Sequence, residues 1–519
     1  MRSIKSGNWL NAIVISFVIS CSALAASPDH VFIGVKAGSA VKENLSGRLL
    51  VFLKKGSGDK EVDTNPFQPT ETWVAAKEVT SMRPGVTVWL DADELAFPKG
   101  FSALPAGKYE MQIVLDVDHN YNYVQRTTRD WVSEVVPFQW TPGSKMPQVT
   151  ISRHFEDSPK HIADLEALRA KAKANANEIK EEHFISPSLS QFWGRPQAIN
   201  AWVVLPPNYN EKENKTYPTV YWTHGFGGNM DRILGTGLKI RERMDDGIIP
   251  AMIWVMLDES IPQGTHEFTD SVNNGPWGKA LTTEFIPYLE NHYRMDAKVN
   301  GRFLNGHSSG GWATLQLQIN YPTIFGGTWS TSPDSSDFHD FTGPDLYAAK
   351  TNMYYRADGT EYPLVRADGK VVATLQQFAR LENVMGTYGG QFQSFDWVFS
   401  PRGDDGQPEK MFNRLTGEID PKVVAYWHDH YDLANVVTSN WATRGDDLRG
   451  RIHLIVGDAD TFYLDGAAHK LQAVLEGLHA DAHFTYLPGR SHFDVYSVGE
   501  DKMGLMSQIA KEMYAVARP

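Results

Sequence analysis

The chain has 519 residues, more than one hydrophobic core organises, so two folded units with connecting or inserted segments are expected. Hydrophobic residues make up 42%, aromatic residues 12% and charged residues 21%, a balance that excludes large-scale disorder. A net charge of −13 without clusters of Lys and Arg excludes a nucleic-acid or anionic-membrane surface and leaves a small or neutral partner.

At the start, Arg2 and Lys5, the apolar run from Ala12 to Ser20 and the small residues Ala23-Leu24-Ala25 have the three parts of an export signal. Residues 1–25 are therefore expected to be a signal peptide, and the protein to be periplasmic or extracellular. Cys21 is the only cysteine, which removes any intrachain disulfide and any Cys-based metal site. Val18-Ile19-Ser20-Cys21 resembles a bacterial lipobox, making Cys21 a candidate lipid anchor of a membrane-attached lipoprotein; the alternative is a cysteine discarded with the signal. No later stretch approaches the ~20 apolar residues that a membrane span needs.

Residues 27–152 read as an all-β, sandwich-like domain, with short strands such as Gly47 to Leu53, Val86 to Leu90 and Gly107 to Leu115 between Gly, Pro and Asp turns. Asp116-Val117-Asp118-His119-Asn120 imitates the opening of a calcium loop, but Tyr121 stands where such a loop needs glycine, so a strand end or hairpin is expected. Residues 153–185 read as a connecting helix, opened by Ser158-Pro159 and running through Ala, Lys and Glu from Lys160 to Glu182. From 186 to 519 strand and helix alternate, the signature of a mainly parallel sheet with helices on both faces. Its expected strands are Ala198 to Val204, Thr219 to Thr223, Met252 to Leu257, Arg302 to Leu304, Gly327 to Ser330, Ile452 to Val456 and His483 to Tyr486. Between about 334 and 450 the alternation stops. There an insertion is expected, its two Arg-Ala-Asp-Gly turns (Arg356 to Gly359, Arg366 to Gly369) closing β-hairpins.

Gly306-His307-Ser308-Ser309-Gly310 has the pattern of a serine turned sharply out of a strand into a helix, with a strand-like lead-in and a helix-like run from Trp312 to Asn320. A hydroxyl needs a base, and His492 is favoured because its loop follows the last strand, at the end of the sheet where working loops gather. His307 and His483 read as structural. An acid must fix the tautomer of the base, and Asp460, three residues past Gly457, is preferred to Asp458. His224-Gly225-Phe226-Gly227-Gly228 follows another strand and lets backbone N–H groups approach a substrate oxygen, so Phe226 and Ser309 are the expected oxyanion donors. No metal is expected: His428-Asp429-His430 offers no third ligand and reads as a helix end.

These residues resemble the esterase family related to esterase D, which also holds feruloyl and acetyl-xylan esterases, enterochelin esterases and mycolyltransferases. The resemblance runs from about Ser190 to Tyr496 on Leu189 to Pro196, the His224 loop, Asn274-Gly275-Pro276-Trp277-Gly278, the Ser308 turn, Val456 to Phe462 and Gly489 to Phe493. It implies an α/β-hydrolase fold and a small-molecule or glycan-linked ester as substrate, siderophore-like esters included, with no cofactor. It does not reach the β domain. A peptidase using the same three residues, and a binding protein that kept the fold without activity, are the competing readings. Trp277, Phe338 and Phe341 are expected to line the substrate pocket, the last two because the insertion leaves the sheet beside Ser308. The insertion is expected to govern substrate choice while leaving the triad intact when residues about 345–435 are removed.

Overall fold

A computed structural model describes residues 30–56, 58–65 and 67–519. The signal-like segment and Cys21 lie outside the described residues. Among those described, no helix is long and apolar enough to cross a membrane.

The first unit is a nine-stranded sheet. All nine strands are hydrogen-bonded into it, yet Val35 and Ile151 from one half and Val51 and Ile113 from the other share one core, so the sheet curls over itself. The run Leu49-Leu50-Val51-Phe52-Leu53 lies in the strand Leu45–Lys55 and is buried on both faces. Period-two alternation sends Leu49, Val51 and Leu53 into that core. Leu50 and Phe52 point the other way, against Leu381, Val384 and Met385 of the helix Leu375–Met385. The same strand supplies Arg48, buried, whose guanidinium donates to the carbonyls of Val384 at 2.8 Å and Asn383 at 3.2 Å, the free end of that helix.

Ser158 caps the connecting helix Pro159–Ala174, its hydroxyl accepting the His161 N–H. The helix ends eight residues short of Glu182, and Ile179–Ile185 is instead the first strand, β1, of the second sheet. Its charged residues misled the sequence reading: it is an edge strand with alternate positions toward solvent, where Lys and Glu are at home.

The remaining strands are β2 (Ala198–Val204), β3 (Thr219–Thr223), β4 (Ile253–Leu257), β5 (Arg302–His307), β6 (Gly327–Thr331), β7 (Ile452–Gly457) and β8 (His483–Leu487). They stand in the order β1-β2-β4-β3-β5-β6-β7-β8, antiparallel at β1-β2 and β2-β4 and parallel from there on. Helices cover both faces. Val220 and Trp222 of β3 meet the helices Met230–Asp245 and Gly504–Ala517, while Tyr221 faces a second core that contains Leu317 of the helix Ser309–Asn320. This is the α/β-hydrolase fold.

The insertion between β6 and β7 differs from expectation. Only the turn at Asp368-Gly369 closes a two-stranded hairpin, Pro363–Ala367 with Lys370–Thr374; the other closes an isolated bridge between Tyr355 and Glu361. The rest is mainly helical, with Leu375–Met385, Gln391–Phe399, Pro421–His430 and Leu433–Leu448. Its aromatic residues form one continuous core with Trp312, Leu315 and Ile319 of the helix after Ser308 and with Ile452, Leu454 and Val456 of β7.

That continuity reverses the expected effect of removing the insertion. Burying one large apolar side chain is worth about 1.5–3 kcal/mol, and a folded chain keeps a margin of only about 5–15 kcal/mol. Replacing residues 345–435 by a short Gly/Ser linker takes away Phe392, Phe395, Phe399, Phe412 and Trp427 at once. We expect a chain without a cooperative thermal transition and with a collapsed near-UV circular dichroism signal; a sharp melt in the deletion would show the core to be divisible.

Candidate active site

Ser308 stands between β5 and the helix Ser309–Asn320 with φ of 61° and ψ of −125°, a conformation that costs about 1–3 kcal/mol and persists only when its surroundings enforce it. Two glycines do so. A Cβ on Gly306 would fall 2.1 Å from the Gly310 carbonyl oxygen, and one on Gly310 would fall 2.3 Å from that of His224. Strand and helix therefore cross at a separation that only hydrogen side chains permit. The Ser308 N–H donates to the Thr331 carbonyl at 3.0 Å, which ties the turn to β6.

The loops after β7 and β8 bring Asp460 and His492 together. Asp460 Oδ2 lies 2.8 Å from His492 Nδ1, and Asp460 Oδ1 accepts the N–H groups of Phe462 at 2.9 Å and Leu464 at 3.4 Å. Asp460 is fully buried and His492 is 3% exposed. Burial pushes the Asp460 carboxyl up, but the facing imidazole and these hydrogen bonds outweigh it and hold the group below its ordinary value. Asp458 is exposed, and its carboxylate accepts the Gly489 N–H at 2.6 Å, a loop contact. The sequence reading missed what steadies this acid: Arg366, on the insertion's hairpin, donates to the carbonyls of Asp460 at 2.7 Å and Asp458 at 3.2 Å and to the Asp465 carboxylate at 3.0 Å. Its Arg-Ala-Asp-Gly turn signalled only a hairpin.

His307 and His492 stand ring to ring at 4.5 Å. Burial and the neighbouring imidazole push the His307 group down to about 3, so it stays neutral beside His492. His483 is exposed at the start of the edge strand β8 and stacks on His453 at 4.7 Å, so it is not packed inside as the sequence suggests.

The glycine-rich loop reaches the serine from β3. A Cβ on Gly225 would lie 2.7 Å from Ser308 Cβ, so this loop touches the elbow and sets Phe226 beside it. His224 braces the loop, its Nδ1 donating to the Gly225 carbonyl at 2.7 Å while Nε2 stands 3.0 Å from Asp258. Ser309 opens its helix, so its N–H has no intrahelical acceptor and stands at the positive end of the helix dipole.

Ser308, His492 and Phe226 line a cavity of about 580 Å³. One wall is apolar, built by Leu364, Val365, Phe378, Phe392 and Phe395 of the insertion. Of the three expected pocket residues none is on the wall. Trp277 is buried, stacked on His266 at 3.6 Å with its indole N–H donating to the Asn274 carbonyl. Phe338 and Phe341 turn inward against Phe395, Phe399 and Trp427, because the short helical turn Phe338–Asp340 dives under the insertion instead of running along the sheet edge. The sequence placed these rings near the serine but could not say which way they face.

Three further carboxyls are buried nearby. Asp334 lines the cavity and accepts the Ser309 hydroxyl at 2.7 Å; burial pushes it up to about 6, with Ser309, His492 and Ser308 opposing. Glu259 accepts the Thr223 hydroxyl at 3.1 Å, and burial drives it up to about 8. Burial, with Asp334 and Glu259 close by, raises Glu267 well above the carboxylate range. Among the described residues the one cluster with metal-ligand spacing is Asp337, His339 and Asp432, whose carboxylates already cap the Phe338–Asp340 turn and the helix Leu433–Leu448.

Residues 195–502 match the family model described as "Putative esterase". The chain belongs to this esterase family. Two curated relatives from Mycobacterium tuberculosis, Esterase MT1326 and Esterase Rv1288, are each 30% identical over 145 residues, 27% of this chain and 30% of theirs. The match thus spans under a third of those relatives' length. Among solved structures, a ferulic acid esterase aligns at 15% identity over 65% of this chain and 98% of its own, with a TM-score of 0.41. The fluorophosphonate-binding serine hydrolase FphF of Staphylococcus aureus aligns at 14% identity over 66% and 98%, with a TM-score of 0.36. An S-formylglutathione hydrolase from Agrobacterium tumefaciens aligns at 13% identity over 65% and 94%, also with a TM-score of 0.36.

The buried carboxyls give this member of the family a pH signature. Glu259 keeps its proton in the fold from its ordinary value of 4.5 up to about 8, whereas the unfolded chain releases it. Stability contributed by the protonated form is therefore present below about 4.5 and is lost as pH rises through 8. Glu259→Gln keeps the shape without the charge. Its Tm should exceed the parent's by at least ~2 °C at pH 8, and the two should converge near pH 4.5. Parallel Tm curves across that range would show that Glu259 does not couple protonation to folding.

Proposed function

We propose that the protein is an exported serine hydrolase of carboxylic esters, with Ser308 as nucleophile, His492 as general base and Asp460 as the acid that orients it. The observation that carries this reading is the 2.8 Å bond between buried Asp460 and the Nδ1 of His492, a histidine that lines the same cavity as a serine held at positive φ. Ser308, Asp334 and His492 line this one cavity, with the Ser308 hydroxyl acting on the Asp334 carboxyl. Nδ1 is fixed as the proton-bearing nitrogen by Asp460, which leaves Nε2 free to accept the serine proton.

As Ser308 Oγ bonds to the ester carbonyl carbon, His492 takes its proton, and the carbonyl oxygen becomes an oxyanion received by the N–H groups of Phe226 and Ser309. Collapse breaks the bond to the alcohol oxygen, which leaves with the proton from His492. A water then gives its proton to His492, attacks the acyl carbon and releases the acid, and Ser308 recovers its hydrogen. Asp460, held charged by its partners, stabilises the imidazolium in both halves. The apolar wall from Leu364 to Phe395 suits an ester with one sizeable apolar group, on a small molecule or a glycan. Export rests on Arg2, Lys5 and the apolar run before Ala23-Leu24-Ala25.

Ser308→Ala and His492→Ala should each lower kcat/KM on p-nitrophenyl esters by at least about a thousandfold in a folded protein, since such residues act as a unit. A fluorophosphonate probe should label the parent at Ser308 and leave Ser308→Ala unlabelled. Asp460→Asn should cost at least about a hundredfold and Asp458→Asn less than about threefold. Full turnover by Ser308→Ala overturns the assignment, and the opposite order of the two aspartate variants moves the acid to Asp458.

A further inference from the structure

The β domain, which the family resemblance does not reach, helps to build the cavity. Phe67, Asn122, Tyr123, Val124 and Gln125 line it together with Ser308 and His492. Four of these come from one short helix, Tyr121–Val124, and the residue after it. Asp116, at the end of the strand Gly107–Asp116, holds that helix, its carboxylate accepting the N–H groups of Tyr121 at 3.0 Å and Asp118 at 3.2 Å. This is what the calcium-like segment does: it ends a strand. Gln125 follows at φ of 62°, a left-handed position that turns the chain back to the sheet. From the helix, the Asn122 amide donates to the Glu382 carbonyl at 3.0 Å and to Gln393 at 3.1 Å, fastening it to the insertion.

Tyr123 points instead at the glycine-rich loop. It is buried, its hydroxyl donates to the Gly228 carbonyl at 2.9 Å, and its ring meets the Phe226 ring edge-on at 5.0 Å and 85°. Those two contacts bracket the Phe226-Gly227-Gly228 segment. A loop with glycine at three of four positions has little stiffness of its own, so its shape is set by what grips its carbonyls. His224 holds the Gly225 carbonyl, Arg232 holds that of Gly227 at 2.9 Å, and Tyr123 holds that of Gly228. The first two clamps are local to the loop and its helix. The third comes from another domain, 105 residues earlier in the chain.

We propose that Tyr123 of the N-terminal β domain is a positioning residue for the Phe226 N–H as an oxyanion donor, which makes that domain a working part of the hydrolytic site. This rests on the function proposed above. Burial pushes the Tyr123 phenol well above its ordinary value, so it remains a hydrogen-bond donor wherever the enzyme would work. A donor displaced by a few tenths of an ångström loses more in the transition state, where the oxygen is charged, than in the ground state.

The test uses the whole chain and p-nitrophenyl butyrate, with Ser308→Ala as reference. Tyr123→Phe keeps the ring and removes the clamp; kcat should fall about tenfold with KM changed less than about twofold. Affinity for a trifluoromethyl ketone, which forms an oxyanion on the serine, should fall by the same factor. Phe226→Leu keeps the N–H but removes the ring edge, so its loss in kcat should not multiply with that of Tyr123→Phe in the double variant. If Ser308→Ala stays active, the functional reading fails. If Ser308→Ala is inactive while Tyr123→Phe keeps its kcat, loses only in KM, or multiplies independently with Phe226→Leu, the hydrolase reading stands and the role of Tyr123 is refuted.

Discussion

No side chain fits between the start of the elbow helix and the end of β3, and the rest of the site follows from that contact. With Gly310 pressed on the carbonyls of Thr223 and His224, the helix must begin immediately after β5, and the residue at the bend has no conformation left but positive φ. Ser308 is thereby raised above the sheet's carboxyl edge, and the first N–H of the helix comes to face the same space. Gly225 repeats the constraint from the other side. Chemistry here depends less on what these residues carry than on what they lack.

Around that contact the protein sorts its acids by the partners it gives them. Asp460 has an imidazole and two backbone N–H groups and keeps its charge in a fully buried place. Glu259 has one hydroxyl, one of its oxygens has no partner, and it gives its charge up. Asp334 lies between the two, with the Ser309 hydroxyl and Gln391 within reach. Buried carboxyls around one serine are thus ion or neutral acid according to the partners that offset their burial, an imidazole and two N–H groups for Asp460 against one hydroxyl for Glu259. His307 shows the cationic counterpart: burial, with the imidazole of His492 beside it, keeps it neutral.

What could be read from the sequence was what depends on neighbours along the chain. The central strands are continuous apolar runs because both faces are covered. The elbow is a local pattern of small residues, and an acid and a base after successive strands must share the sheet's carboxyl edge. Ile179–Ile185 escaped because an edge strand may be charged, and the insertion's helices escaped because turn residues interrupt their periodicity. Trp277, Phe338 and Phe341 show a different limit, since an aromatic residue is equally at home in a core and on a pocket wall. Arg366 and Tyr123 act on partners about a hundred residues away, through backbone carbonyls that leave no trace in the identity of the residues they hold.

The face shared by the β domain and the helix Leu375–Met385 has a consequence for the order in which the chain can be completed. A ribosome finishes the β domain first, and at that moment the cluster of Leu50, Phe52, Val74 and Val114, on which Tyr121 already stacks, lacks the side that Leu381, Val384 and Met385 cover. The helix that covers it, and whose end Arg48 grips, emerges after more than 200 further residues, at an ordinary elongation rate of ~5–20 residues per second a wait of roughly ten seconds or longer. The nascent protein therefore carries a sticky half-finished module through much of its own synthesis.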